Sequence, residues 1–144
     1  MLALTDCGYD VAVPFGENTR YDLIVDDGFQ LLRVQCKTGR IRSGAIEFPT
    51  ASSYYHHPNE KPTQRHYRGQ VDMFAVYCRQ TSGVYLIPID VLPLDRAYLR
   101  IDPPANGQRR RIRFAADCEV ARVTCIAGDV PRVGVYVSSE GSTR

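Results

Sequence analysis

Three polar side chains fall on two segments whose residue pattern predicts neighbouring β-strands. Asp22 lies within Tyr21–Asp26, and Gln35 and Lys37 lie within Leu31–Lys37. Because side chains alternate along a strand, Gln35 and Lys37 share one face. A carboxylate and an amide oxygen are ligands that Mg²⁺ accepts, and a nearby ammonium group balances negative charge at phosphorus. The three residues therefore provide the minimal equipment for metal-assisted hydrolysis of a phosphodiester.

The connection between these two segments determines how close the side chains come. Asp27-Gly28 is a sequence that favours a tight two-residue hairpin, because both residues tolerate positive φ. In that register Asp22 lies opposite Arg33 and diagonal to Gln35, with Cα atoms of the diagonal pair roughly 7–8 Å apart. We expect the two side chains to converge on one cation, with the backbone carbonyl of Cys36 as a third oxygen ligand.

The same residues also fit a purely structural role. Asp22 can cap a turn, Gln35 can be a solvated strand residue, and Lys37 can protect a sheet edge from pairing. The basic composition favours a functional role for one of them. Lys37 and Lys61 are the only lysines among 18 basic residues, so a compact ammonium group stands at Lys37 in a chain that otherwise uses arginine.

The composition predicts a single soluble domain of an intracellular protein. The chain has 144 residues, of which 44% are hydrophobic, which is enough for a single buried core. The net charge of +2 does not by itself indicate a nucleic-acid-binding protein, so the positions of the charges must decide. The five cysteines form no CxxC pair, and neither a signal peptide nor a membrane span is predicted. We expect a cytoplasmic protein with free thiols and no membrane association.

Further elements follow from the hydrophobic pattern. Met1–Cys7 reads as the end of a helix closed by Gly8. Residues 50–69 are polar and rich in His, Pro and Tyr, which predicts mainly loop with one short helix. Additional strands are predicted over Tyr9–Val13, Ala45–Phe48, Val71–Cys78, Val84–Pro88 and Ala97–Ile101, the third of them at the centre of the sheet.

The site residues and their surroundings resemble a known enzyme family. Asp22, twelve further residues and then Gln35-Cys36-Lys37 resemble the PD-(D/E)XK nuclease signature, with glutamine at the (D/E) position. The similarity extends from about Leu4 to Asp117. It is greatest for the group I intron-associated (homing-type) branch and its free-standing prokaryotic relatives, in the segments Gly8–Pro14, Asn18–Asp26, Arg33–Arg40 and Tyr67–Cys78.

This resemblance implies an α/β fold with a restriction-endonuclease-like core, in which a mixed β-sheet is flanked by helices. It also implies Mg²⁺-dependent cleavage of double-stranded DNA, with Mn²⁺ as a substitute, by a homo-oligomer (dimer or tetramer). By the motif, Asp22 is the metal-binding carboxylate, Gln35 the variant second ligand and Lys37 the catalytic lysine. Relatives begin with a full helix that carries an acidic residue; here we expect a truncated first helix and take Glu17, or else Asp6, as the substitute ligand.

Several other residues receive predicted roles. We expect residues 1–118 to form the nuclease-like domain and 119–144 to be a C-terminal extension with strands and a frayed tail. Asp72 is predicted to pair with an arginine, and Tyr67 is predicted to pack over the sheet edge in preference to stacking on bases. Arginines near the motif and in the basic run are predicted to contact DNA phosphates: Arg20, Arg40, Arg42, Arg109, Arg110 and Arg111.

Three other functions compete with the homing-type endonuclease. One is a four-way-junction resolvase, a distant relative in the same fold. Another is a non-catalytic DNA-binding module that keeps the nuclease fold, an alternative favoured by the shortened first helix. The last is a small β-rich interaction domain, which requires the convergence of Asp22, Gln35 and Lys37 to be accidental. Placement of Asp22 and Lys37 on opposite faces of the sheet would exclude the nuclease hypothesis.

Overall fold

The computed structural model of the chain describes residues 1–16, 18–54, 63–103, 107 and 110–120. Two four-residue helices lie in these ranges, α1 (Leu2–Thr5) and α2 (Ala115–Cys118), together with a 3-10 turn at Ile89–Val91. The strands are β1 (Asp10–Ala12), β2 (Leu23–Asp26), β3 (Leu31–Arg42), β4 (Ala45–Pro49), β5 (Ala51–Tyr54), β6 (Thr63–His66), β7 (Met73–Cys78), β8 (Gly83–Pro88) and β9 (Arg96–Arg100).

The long strand β3 organises a seven-stranded mixed sheet. Its N-terminal part pairs antiparallel with β2, which in turn pairs with β1. Residues 34–39 pair parallel with β7, whose other edge is covered by antiparallel β8. Residues 40–42 pair with β4, followed by β9, both antiparallel. The mixed sheet and the central position of β7 are as predicted, and β5 and β6 form a separate two-stranded hairpin.

Two hydrophobic cores lie on opposite faces of this sheet. One contains α1 and the inner side chains of β2 and β3, such as Leu4 and Val34, both 1% exposed. The other is formed by β7, β8, β4 and β9, where the rings of Phe48 and Phe74 meet edge to face with centroids 6.4 Å apart. Each fully buried side chain of this size stabilises the fold by about 1.5–3 kcal/mol. The sheet is therefore fixed from both sides.

Gly39 allows β3 to serve both halves of the sheet. A Cβ atom at this position would lie 2.5 Å from Cγ2 of Ile46 and 3.0 Å from Cγ1 of Val76. Glycine in a strand interior often marks such a close approach. The missing side chain lets β4 and β7 pack tightly against the strand that also carries the predicted site.

The β2–β3 connection differs from the predicted two-residue hairpin. Asp26 pairs with Leu31, so the loop spans Asp27–Gln30, and Arg33 pairs with Ile24 instead of Asp22. The buried Asp27 carboxylate causes the longer loop, because its Oδ1 atom accepts hydrogen bonds from the backbone N–H groups of the third and fourth loop residues at 3.0 and 2.9 Å. A single buried aspartate thus stabilises a wider turn than Asp-Gly alone predicts.

A second difference concerns residues 50–69. The predicted loop contains the β5–β6 hairpin, which pairs Ala51 with His66 and Tyr54 with Thr63. Residues 55–62, Glu17 and 121–144 lie outside the described ranges, as do the strands predicted for the C-terminal extension. The flanking helices expected from the resemblance are short within the described part of the chain. No helix there is long and apolar enough to cross a lipid bilayer.

Candidate active site

Asp22 and the Gln35-Cys36 segment of β3 meet at one point. Asp22 is the residue immediately before β2. Its Oδ2 atom accepts a hydrogen bond from Nε2 of Gln35 at 2.5 Å and one from the backbone N–H of Cys36 at 2.7 Å. The Gln35 amide also donates to the backbone carbonyl of Cys36 at 3.3 Å. The predicted diagonal placement is replaced by direct contact, and the three predicted ligand residues converge, with the Gln35 amide nitrogen facing the other two oxygens.

This donor set fits a hard divalent cation. Asp22 provides an anionic oxygen, the Cys36 carbonyl a neutral one, and a rotation of the Gln35 amide group turns Oε1 toward the position that Nε2 now takes. Mg²⁺ is commonly held by one or two carboxylates and completes its six ligands with water and substrate phosphate. Within the described residues, no group of three His, Cys, Asp or Glu side chains is positioned to hold a metal ion. Asp22, Gln35 and the Cys36 carbonyl offer oxygen atoms, the ligand type that Mg²⁺ and Mn²⁺ accept.

Lys37 projects from the same face of β3 as Gln35 and is held by an aromatic side chain. Its Nζ atom donates a hydrogen bond to the hydroxyl oxygen of Tyr67 at 3.0 Å and lies 4.4 Å from the centre of that ring. The ring of Phe74 is 5.7 Å from Nζ. Ile24, two residues after Asp22, pairs with Arg33, so Asp22 and Lys37 share one face. The arrangement that would have excluded the nuclease hypothesis does not occur.

Tyr67 is buried against the sheet and lies under the lysine, a contact that was not predicted, and a second cation covers its ring. The side chain is only 5% exposed and meets Phe74 edge to face at 5.5 Å. The guanidinium carbon of Arg20 lies 4.0 Å from the centre of the Tyr67 ring. Arg20 also donates to the side chains of Gln70 and Ser52 and to two carbonyls of β6. These contacts engage Arg20 within the protein, so its predicted phosphate contact stays a prediction.

Arg33 and Asp72 fix β7 beside the site. Arg33 donates from Nε and Nη2 to the two oxygens of Asp72 at 3.0 and 2.8 Å, and its backbone N–H adds a third bond at 2.7 Å. Hydrogen bonding to Arg33 lowers the pKa of Asp72 below its ordinary value. Hydrogen bonding to Asp72 in turn raises the pKa of Arg33 above its ordinary value. The predicted pairing of Asp72 with an arginine is confirmed, and it extends the β3–β7 ladder beyond the backbone bonds of the strands.

Arg40 and Arg42 lie on the other face of β3. The strand runs without interruption from Leu31 to Arg42, so alternation separates these even-numbered residues from Gln35 and Lys37. The structure therefore does not place these two arginines in the catalytic cluster. Arg110 and Arg111 are exposed in a turn that leads toward α2, whereas Glu17 and Arg109 lie outside the described residues.

The even face of β3 continues into a basic surface that the sequence analysis missed. In β4 and β9, Glu47 stands between Arg40 and Tyr98, and Ala45 between Arg42 and Arg100. Arg96 is on the same face and forms an ion pair with Glu47. We call this surface the arginine face: Arg40, Arg42, Arg96, Arg100, Glu47 and Tyr98. Its members come from three strands, and only the registers of β4 and β9 reveal that they are neighbours.

Comparisons with known proteins identify the fold and the family of the chain. A structure described as that of a bacterial homing endonuclease, I-Ssp6803I, matches with a TM-score of 0.65 and 22% identity, covering 83% of this chain and 80% of that one. Curated protein sequences give no match. The family model for the PD-(D/E)XK endonuclease matches residues 1–121. The predicted restriction-endonuclease-like fold and family are thus confirmed: the chain belongs to the PD-(D/E)XK endonuclease family.

Proposed function

We propose that the protein is a metal-dependent DNA endonuclease that hydrolyses phosphodiester bonds of double-stranded DNA. The observation that carries the proposal is the convergence of Asp22, Gln35 and the Cys36 carbonyl beside Lys37 on one face of β3. Family membership supports the reaction class. The oxygen donors support Mg²⁺, with Mn²⁺ as its substitute.

Each residue has a distinct task in this proposal. Asp22 and Gln35, with the carbonyl of Cys36, are the groups that would hold the cation. When bound, Mg²⁺ supplies a Lewis acid that polarises the phosphate and lowers the pKa of a bound water. Lys37 presents its ammonium group to the scissile phosphate and offsets the negative charge that develops there. Arg33 and Asp72 keep β3 and β7 in register, so these groups stay at fixed distances.

Glu17 is kept as a proposed additional ligand, because a second carboxylate would strengthen a site that has only one. Two such sites would allow both strands of a duplex to be hydrolysed in one binding event. We propose that a homo-oligomer, a dimer or a tetramer, provides them. Exposed arginines are proposed to contact phosphates away from the scissile bond: Arg40, Arg42, Arg110 and Arg111, with Arg20 and Arg109 as the other candidates.

The test is cleavage of supercoiled plasmid and of a synthetic four-way junction, with and without Mg²⁺ or Mn²⁺. Nicked or linear plasmid that requires the metal and is lost in Lys37→Ala and Asp22→Asn supports the proposal. Lys61→Ala is the matched control, because it removes the other lysine of the chain. We expect this control to cleave like the wild type.

The assay also separates the alternatives. Cleavage confined to the junction would indicate a resolvase. Salt-sensitive binding to duplex DNA without cleavage of either substrate, in either metal, would refute the enzyme and indicate a non-catalytic DNA-binding module. Loss of activity in Lys61→Ala as well as in Lys37→Ala would contradict the specific role given to Lys37.

A further inference from the structure

Tyr67 is the protein group that holds the Lys37 ammonium. The hydroxyl oxygen accepts a hydrogen bond from Nζ at 3.0 Å, and the ring presents its face to the same nitrogen at 4.4 Å. Tyr67 itself is 5% exposed and packed edge to face on the fully buried ring of Phe74. The lysine head group is therefore attached to a rigid partner.

Such a partner matters because lysine has four rotatable bonds. An ammonium group on a free side chain spends little time at any one position, and ordering it costs up to about 2 kcal/mol of side-chain entropy. A hydrogen bond and a cation–π contact to the same ring restrict that freedom before substrate arrives. Preorganised charge is more effective at a developing negative charge than charge that must first be ordered.

Arg20 extends this attachment to the β5–β6 hairpin. It stacks on Tyr67 at 4.0 Å, and its donors reach Ser52 of β5 at 3.0 Å and the carbonyl of His66 in β6 at 3.2 Å. Gln70, three residues after Tyr67, accepts from its Nε at 2.6 Å. The ring is thus held by Phe74, which it meets edge to face, and by an arginine that stacks on it and is itself bound to the hairpin.

We propose that Tyr67 is a positioning residue that orients Lys37 for phosphodiester hydrolysis, an inference that rests on the proposed function. Tyr67 does not contact the oxygen donors Asp22 and Gln35 through any hydrogen bond in the described structure. Its effect is transmitted through the ammonium group. It therefore alters the rate of the chemical step and leaves the binding of DNA and metal unchanged.

The primary test is Tyr67→Phe, which removes the hydroxyl and keeps the ring that supports Arg20. We expect kcat for plasmid nicking to fall about tenfold, the cost of losing one hydrogen bond to a charged group. KM for DNA and the metal concentration at half-maximal rate should not change. Tyr77→Phe is the matched control, because Tyr77 is 46% exposed on the other side of β7, and we expect it to cleave at the wild-type rate.

A spectroscopic measurement observes the contact without cleavage. Selective ¹⁵N-lysine labelling yields only two side-chain ammonium signals, from Lys37 and Lys61, which Lys61→Arg assigns. We expect the Lys37 signal to broaden in Tyr67→Phe because its protons exchange faster with water, whereas the Lys61 signal stays unchanged. In Tyr77→Phe both signals should match the wild type.

The outcomes separate this inference from the proposed function. A wild-type protein that fails to cleave refutes the endonuclease itself. Wild-type cleavage with an equal kcat in Tyr67→Phe overturns the positioning role, and so does a Lys37 signal that is identical in both proteins. A fall in kcat accompanied by an equal rise in KM would indicate loss of general structure and would also overturn it.

Discussion

Replacement of Gln35 by glutamate tests the electrostatic character of the site most directly. The Gln35 amide donates to Asp22 at 2.5 Å. Gln35→Glu exchanges this attraction for repulsion between two carboxylates at similar distance. Coulomb's law gives about 1 kcal/mol in water and about 4 kcal/mol at an effective dielectric constant of 20 for charges 4 Å apart. Because Asp22 is exposed and Gln35 only half-buried, we expect a loss near the lower end, about 1–2 kcal/mol.

A bound divalent cation should reverse the sign of this effect. The second carboxylate is an additional anionic ligand, so Mg²⁺ removes the repulsion and binds the variant at least tenfold more tightly, a difference of about 1.4 kcal/mol. Urea denaturation with and without Mg²⁺ measures the first quantity, and titration calorimetry measures the second. We expect the variant to be less stable than the wild type without metal and to gain more stability from Mg²⁺.

Gln64→Glu is the matched control for this experiment. Gln64 donates its amide to Asp95 at 3.1 Å on an exposed surface, so the variant adds the same charge beside another aspartate. We expect a smaller loss of stability and no tight Mg²⁺ binding. If Mg²⁺ stabilises Gln35→Glu no more than the wild type, or if the control responds equally, then Asp22 and Gln35 do not form a cation site.

Three further perturbations test the surroundings of the site. Asp72→Asn should lower the free energy of unfolding at neutral pH. Because Arg33 lowers the pKa of Asp72 in the folded protein, the difference in unfolding free energy from the wild type should be constant above the ordinary pKa of about 4 and shrink as the pH falls through the folded pKa. A difference that persists at low pH contradicts this. Gly39→Ala should lower the free energy of unfolding, measured by urea denaturation, by about 1–3 kcal/mol, because the added Cβ would lie 2.5 Å from Cγ2 of Ile46. An unchanged denaturation midpoint would show that β4 moves to make room for it. Charge removal at Arg40 and Arg42 should weaken DNA binding and reduce the slope of log K against log salt by about one for each phosphate that the variant no longer neutralises; an unchanged slope excludes both arginines from the DNA interface.

The sequence predicts the faces and order of the strands better than the loop between β2 and β3. Period-2 alternation identifies the face that Gln35 and Lys37 share, and the continuous apolar run of β7 identifies the central strand. The β2–β3 register is missed because it depends on where the Asp27 side chain points. In the folded chain that carboxylate is buried and accepts hydrogen bonds from two backbone N–H groups of the loop. The turn preferences of Asp and Gly do not predict this burial.

Long-range partners are also missed, for a different reason. Lys37 and Tyr67 are 30 residues apart, and the contact requires the parallel β3–β7 pairing that brings the residues before β7 beside β3. The placement of Arg40 and Arg42 is missed because the strand is longer than predicted. Alternation assigns them to the face opposite Lys37 once β3 is known to continue to Arg42, but the predicted strand ends at Lys37.

The two faces of β3 thus have different electrostatic tasks, and this follows from one uninterrupted strand. The odd-numbered face presents the Gln35 amide and the Lys37 ammonium, and the Asp22 carboxylate bonds to Gln35 from the segment before β2, a balance that avoids the repulsion a second negative charge would add. The even-numbered face continues into β4 and β9 as the arginine face, where one glutamate accompanies four arginines and pairs with Arg96. Removing charge from the arginine face should therefore act on DNA affinity, whereas adding charge at Gln35 should act on metal affinity. Separate responses of these two quantities would show that the strand keeps cation binding and phosphate contact independent.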